Sequence, residues 1–347
     1  MKKNQYDDLC IGFNPDGSPV TVKALAPVIV SASRSTDIPA FYAEWLVNRL
    51  EAGYCVWYNP FNRKPSYVSF ANTRAFVFWS KNPAPLLPHL GTFDKKGLGY
   101  YFQFTVNDYV REKFEPNVGS LEKRIETFKT LSERIGRDRV IWRFDPIIMG
   151  PGLEPKIILE RIQRIGNQLK GYTSKLVFSF IDVAAYRKVQ ANMAKTVFFT
   201  KNNVLSAEAT DDQIKEICKG LSSLRDQWAK EGWKLTLATC AEGVSLEDYG
   251  IEHNRCIDDV LLRQLFPNDN ALMEYLGIKQ YSLFSNSSNN PQLKDKGQRA
   301  ECRCISSKDI GMYDTCIHFC TYCYANTSAD AVRKNRAKYS PNNESIV

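Results

Sequence analysis

Short apolar runs alternate with amphipathic segments along most of this chain, and that alternation constrains its fold more than any other feature. Val28–Ser33, Ala75–Trp79, Tyr100–Val106, Val140–Phe144, Leu176–Ile181 and Lys234–Ala238 read as strands. Between them, Ala40–Ala52, Leu121–Ile135, Ile157–Leu169 and Gln213–Glu231 carry helical spacing, and Val260–Leu265 continues it. In the first of these, Phe41, Trp45, Leu46 and Leu50 fall on one side, as a helix packed against a core requires. Strands separated by helical crossovers form a parallel sheet. Tyr54–Trp57, Tyr281–Phe284 and the stretch before Cys316 offer further strands.

The strand ends narrow the architecture. They run into Ser33-Arg34-Ser35, Ser80-Lys81-Asn82, Thr105-Val106-Asn107, Arg143-Phe144-Asp145, Asp182 and Thr239-Cys240-Ala241-Glu242. Repetition of polar, reactive residues at these ends suits a (β/α) barrel, partial or complete, whose strand C-termini open on one face that carries the chemistry. The expected organisation is a barrel body over 1–284, a polar Asn- and Ser-rich linker over 285–300, a Cys-rich segment over 301–340 that completes the barrel, and a frayed tail over 341–347.

A chain of 347 residues, 44% hydrophobic and 24% charged, suits one such barrel and excludes disorder. The net charge of +8 is scattered, a solubility feature more than a nucleic-acid footprint. No run of eighteen apolar residues predicts a membrane span. Lys2 and Lys3 lead into a polar stretch and not an apolar signal segment, so a cytoplasmic protein with reduced thiols is expected. Ten cysteines in such a protein point to metal or cluster binding.

Cys316, Cys320 and Cys323 form C-x3-C-x2-C. Iron–sulfur clusters take Cys thiolates, usually four, so three in one loop leave one iron of a [4Fe–4S] cluster open to an exogenous chelator. The alternative is a zinc site in which His318 joins the three cysteines.

The triplet, with Tyr322 just before its third Cys, resembles the signature of radical S-adenosylmethionine enzymes. Cys320-Thr321-Tyr322-Cys323-Tyr324-Ala325 is similar to the branch that includes spore photoproduct lyase. Ser35-Thr36-Asp37-Ile38-Pro39 and Ser80-Lys81-Asn82-Pro83 resemble segments that follow that branch's second and third strands. The whole chain also resembles an uncharacterised bacterial family of unknown function with such a Cys cluster at its C-terminus. The resemblance implies that S-adenosylmethionine binds the open iron and that Ser33, Thr36, Asp37, Ser80, Lys81 and Tyr322 line its pocket. It further implies a reductant such as flavodoxin or ferredoxin, and it suggests a nucleic-acid substrate. In that family the Cys loop follows the first strand, whereas here it comes last. A circular permutation accounts for this: the tail supplies the first strand, the Cys loop and a helix over Asn326–Tyr339.

Cys240, Cys256, Cys302 and Cys304 lie near the same predicted face and fit a second [4Fe–4S] cluster, a zinc ion, or four unliganded thiols. Cys10, Cys55 and Cys218 read as buried small hydrophobes. Arg143 and Asp145 suit an anion clamp or a structural ion pair. Tyr324, next to the triplet, suits hydrogen-atom donation, adenine stacking, or packing. Glu242 and His253 are weaker candidates, and Arg333, Lys334, Arg336 and Lys338 form a basic helix face. The competing function is a nucleic-acid-binding or scaffold protein stabilised by zinc or a cluster.

Overall fold

The computed structural model describes residues 6–240, 245–278 and 293–347. The candidate strand Tyr281–Phe284, the first half of the expected linker, and Glu242 lie outside them. The strands, in chain order, are β1 Tyr6–Phe13, β2 Pro19–Leu25, β3 Ile29–Ala32, β4 Tyr54–Tyr58, β5 Pro65–Ser69 and β6 Ala75–Ser80. They continue with β7 Gly99–Thr105, β8 Val140–Ile147, β9 Lys175–Phe180, β10 Thr236–Thr239, β11 Ile251–His253 and β12 Lys308–Asp309.

Eight strands form one sheet in the order β11-β10-β9-β8-β7-β6-β3-β12. Every neighbouring pair in it is parallel. The six expected strands are all present, because each is an apolar run buried on both faces: every residue of β7 is buried. Helices supply the crossovers. Leu121–Ile135 is capped by the Ser120 hydroxyl, and Asp211–Lys230 by a reciprocal Thr210–Gln213 box. Pro155–Leu169 packs on the latter so closely that a Cβ at Gly166 would stand 2.4 Å from Trp228. The expected helix Ala40–Ala52 is broken: Ile38–Phe41 is capped by Asp37, and Ala43–Ala52 restarts after Tyr42, whose extended φ of −136° interrupts the turn.

The eight-stranded ladder is open among the described residues. Its edges nevertheless meet through loops: Ile305 donates its N–H to the Ile257 carbonyl at 3.1 Å, and His253 Nε2 lies 2.7 Å from the Glu301 carbonyl. Ile257 and His253 belong to the β11 side, whereas Glu301 and Ile305 lead into β12. The stretch before Cys316 does supply a strand, since β12 pairs with β3 and then enters the Cys loop. A helix, Ala329–Arg336, follows that loop.

Tyr54–Trp57 does not extend this sheet. β4 folds back on β5 through a short turn and joins β1 and β2 in a separate four-stranded sheet, ordered β1-β2-β5-β4. Cys10, on β1, is exposed and not the buried hydrophobe expected, while Cys55 and Cys218 are buried. The tail is docked and not frayed. The Val56 N–H bonds to the Glu344 carbonyl at 2.8 Å, Trp45 Nε1 bonds to the Asn343 carbonyl at 2.9 Å, and Ile346 is 1% exposed. Its backbone thus satisfies groups on β4 and on Ala43–Ala52 that would otherwise need water.

Candidate functional site

A cavity of about 790 Å³ opens at the C-terminal ends of the parallel strands. Its wall takes in both cysteine groups, the Ser33–Asp37 and Ser80–Lys81 segments, Arg143 and Asp145, and Tyr322 and Tyr324. Residues drawn from opposite ends of the sequence therefore share one chamber. Parallel strands deliver this, because their C-termini all point the same way.

Asp37 is the hub of one wall. Its carboxylate accepts from the Ala40 N–H at 3.0 Å, the Ser80 hydroxyl at 2.7 Å and the Lys81 N–H at 2.7 Å. His318, inside the Cys loop, places Nε2 2.8 Å from the same carboxylate. Ser33 is likewise engaged locally, since its hydroxyl accepts from the N–H groups of Ser35 and Thr36. Two of the expected pocket residues thus shape the loops that form the wall. His318 Nε2 is thus directed to Asp37, and its Nδ1 lies 3.4 Å from the Asn117 carbonyl.

Lys81 reaches Glu115 Oε1 at 2.7 Å and the Tyr322 hydroxyl at 3.0 Å. Tyr322 also donates to Glu115, and Arg124 lies 3.7 Å from its other oxygen. Burial opposes ionisation of Glu115, but Lys81 and Arg124, with hydrogen bonds from Lys81 and Tyr322, outweigh it and lower its pKa to about 2. Burial likewise opposes the charge on Lys81, and Glu115 and Cys320 overcome it and raise its pKa. Glu115 sits in an irregular stretch with no cysteine or strand end beside it, so no sequence pattern marks it.

The triplet thiols face the cavity. Burial, followed by Cys323, pushes Cys316 up to about 12, and burial raises Cys320 and Cys323 too. Against that, backbone N–H groups of His318 and Asp37 face Cys316, and those of Ala325 and Asn326 face Cys323. Lys81 favours a thiolate at Cys320. Thiols that resist ionisation when bare, yet are ringed by N–H donors and a lysine, suit a cationic metal partner. Among the described residues, no three His, Cys, Asp or Glu side chains are arranged about a single ion. A cluster does not need that arrangement, since each thiolate binds a different iron.

The second group also gathers. Cys240 and Cys256 have their sulfurs 3.3 Å apart, and Cys256 contacts Cys304, which contacts Cys302. Arg143 lies against this chain, with Nη1 3.1 Å from the Cys256 sulfur and also 3.1 Å from Gln103 Oε1. Its Nε and Nη2 hold Asp145 Oδ2 at 3.0 and 2.5 Å. Burial works against the guanidinium charge, but Cys256, Asp145 and Cys240 keep it firmly protonated. Of the two readings of Arg143 and Asp145, the buried ion pair is what the geometry presents. Contact with Cys240 and Cys304 draws Cys256 well below the usual thiol range, and Cys304 draws Cys302 to about 7.

The family model "Domain of unknown function (DUF1848)" matches residues 29–325. The chain belongs to this DUF1848 family. The match begins at β3 and ends just past Cys323, so it contains both cysteine groups and every wall segment described above, and leaves out β1, β2 and the docked tail. No curated protein and no solved structure matches the chain.

Within the DUF1848 region, two residues of the cavity wall each carry a buried polar atom with no hydrogen-bond partner among the described residues: Thr36 Oγ1 and Arg34 Nη2. Thr36 is 5% exposed. Arg34 lies over the Trp79 ring, 5.3 Å from its centroid, with Nη1 3.6 Å from Asp295. An orphaned buried donor is costly unless a ligand satisfies it. Arg34 was visible in the sequence only as part of a polar strand end. Asp309 carried no signal, yet it accepts from the Ser31 hydroxyl and the Arg34 N–H and so fixes the start of this wall. Tyr324 is 41% exposed, donates its hydroxyl to the Arg34 carbonyl and packs near Tyr186 and Tyr313. On the basic helix, Arg333 pairs with Asp330, and Arg336 covers the Tyr339 ring.

Proposed function

We propose that this DUF1848 chain is an iron–sulfur enzyme of the radical S-adenosylmethionine type, with Cys316, Cys320 and Cys323 holding a [4Fe–4S] cluster and the parallel strands arranged as a barrel around it. When bound, the cluster would chelate S-adenosylmethionine through its open iron and supply the electron that cleaves a sulfonium C–S bond. The observation that carries this reading is that the three thiols line one cavity with the Ser33–Asp37 and Ser80–Lys81 segments.

The chain's own residues take definite parts in this reading. Backbone N–H groups facing Cys316 and Cys323 stabilise their thiolates, and Lys81 does so for Cys320. Asp37 joins His318 of the Cys loop to Ser80 and Lys81, so cluster loop and cofactor wall move as one. Thr36 Oγ1 and Arg34 Nη2 are free to bond a polar ligand beside the cluster. Lys81, Glu115 and Tyr322 form one hydrogen-bonded group that braces the loop, and Lys81 and Tyr322 also present themselves to the cavity. The test is anaerobic iron reconstitution followed by reduction with S-adenosylmethionine. Formation of 5′-deoxyadenosine by the wild type and none by Cys320→Ala is expected. A protein that takes up no iron at the triplet refutes the reading.

A further inference from the structure

We infer that Cys240, Cys256, Cys302 and Cys304 are the ligands of a second, four-thiolate metal centre that ties the two edges of the parallel sheet together.

The four cysteines come from three separated places. Cys240 directly follows β10, Cys256 follows β11, and Cys302 and Cys304 precede β12. β11 and β12 are the outermost strands of the eight-stranded sheet, and no ladder joins them among the described residues. What joins them is this loop region: the Ile305 N–H bonds to the Ile257 carbonyl, and His253 to the Glu301 carbonyl. A metal bound here would close the sheet where backbone pairing does not.

The surroundings suit thiolates and not inert thiols. Cys55 shows what an inert buried thiol looks like in this chain, sitting among apolar side chains of the core. Cys256 differs. The Arg143 guanidinium lies 3.1 Å from its sulfur, Cys240 sulfur lies at 3.3 Å, and Asn254 Nδ2 at 3.4 Å. Cys304 receives the Ile257 N–H at 3.4 Å. Arg143 is 3% exposed, and among the described residues Asp145 is the one carboxylate it contacts. A buried cation and aimed N–H donors around sulfur are what a negatively charged metal–thiolate centre needs around it. As placed, the four sulfurs form a chain of contacts and are not set about one point, so side-chain rotation at Cys240 or Cys302 must accompany binding. Four thiolates accept either one tetrahedral zinc ion or a fully ligated [4Fe–4S] cluster, and the bound metal tells which.

This centre does not depend on the S-adenosylmethionine reading. The experiment uses the full chain with Cys316→Ala, Cys320→Ala and Cys323→Ala combined, purified without oxygen. Total metal is measured, and thiols are counted before and after denaturation. The expected result is about one zinc or about four irons retained per chain, with Cys240, Cys256, Cys302 and Cys304 protected from alkylation until the protein is unfolded or the metal is stripped. Adding Cys256→Ser should abolish that retention. Loss of all metal from the triplet variant, with folding intact by near-UV circular dichroism and the remaining thiols alkylated at the rate of ordinary buried cysteines, overturns the proposal. Retention of the same metal after Cys256→Ser and Cys304→Ser overturns it too. An absence of iron from the wild-type triplet, with the second metal still bound, would sink the proposed function alone.

Discussion

Asp37 and His318, 281 positions apart, meet at 2.8 Å in the cavity wall. The contact joins the segment after β3 to the loop carrying the cysteine triplet. Because Asp37 also holds Ala40, Ser80 and Lys81, its carboxylate is the point where three stretches of chain are fixed. Removing it leaves several buried donors unmet, and each costs about 1–3 kcal/mol. Asp37→Ala is therefore expected to destabilise the protein by about 2–4 kcal/mol in urea unfolding. Alkylation of Cys316 in the folded state should speed up with it. Asp37→Asn keeps one acceptor oxygen and should fall between.

Glu115 makes stability depend on acid. Its pKa falls from the ordinary 4.5 to about 2 on folding. A carboxylate lowered in this way contributes stability that is fully present above 4.5 and is lost as pH falls toward 2. The shift corresponds to roughly 3 kcal/mol. Urea midpoints measured from pH 6 down to the acid limit should drop more steeply for the wild type than for Glu115→Gln. Parallel curves for the two proteins would show that Glu115 carries no such linkage.

Thr36 separates ligand binding from folding. Its hydroxyl is buried with no partner among the described residues, so Thr36→Val should leave the ligand-free protein unchanged or raise its stability by up to about 1 kcal/mol. The same change should weaken S-adenosylmethionine binding about 5- to 10-fold, the loss of one hydrogen bond. Thermal melts and equilibrium dialysis report the two effects separately. Equal affinity in both proteins would place the ligand away from this wall.

Gly311 sets the approach of β12 to β3. A Cβ there would lie 1.8 Å from the Ser33 oxygen, so Gly311→Ala must displace Ser33 or the strand. A cost of about 1–3 kcal/mol is expected, as for other overpacked sites, together with lower iron retention. Chemical denaturation and metal analysis of the one variant check both.

The sheet was legible because its strands are apolar on both faces and end in polar residues. Ala75–Trp79 and Tyr100–Val106 needed only their own composition to be recognised. The β1–β2 hairpin was not, since half of β1 is exposed and its alternation mixes acidic and apolar residues. The tail over 341–347 looked frayed because its polar residues bond through their backbone, which leaves no trace in side-chain pattern. The cysteines were legible by spacing. Their companions were not, because Glu115 and Arg34 act on partners that only the fold brings near.

The central claim is that the triplet holds a cluster with one open iron. Electron paramagnetic resonance of the reduced, anaerobically reconstituted protein tests it most directly, in the Cys256→Ser, Cys304→Ser background so that only the triplet contributes. The account predicts a [4Fe–4S] signal that changes on adding S-adenosylmethionine and vanishes in Cys320→Ala. A protein that shows no iron signal there, or a signal indifferent to the cofactor, contradicts it.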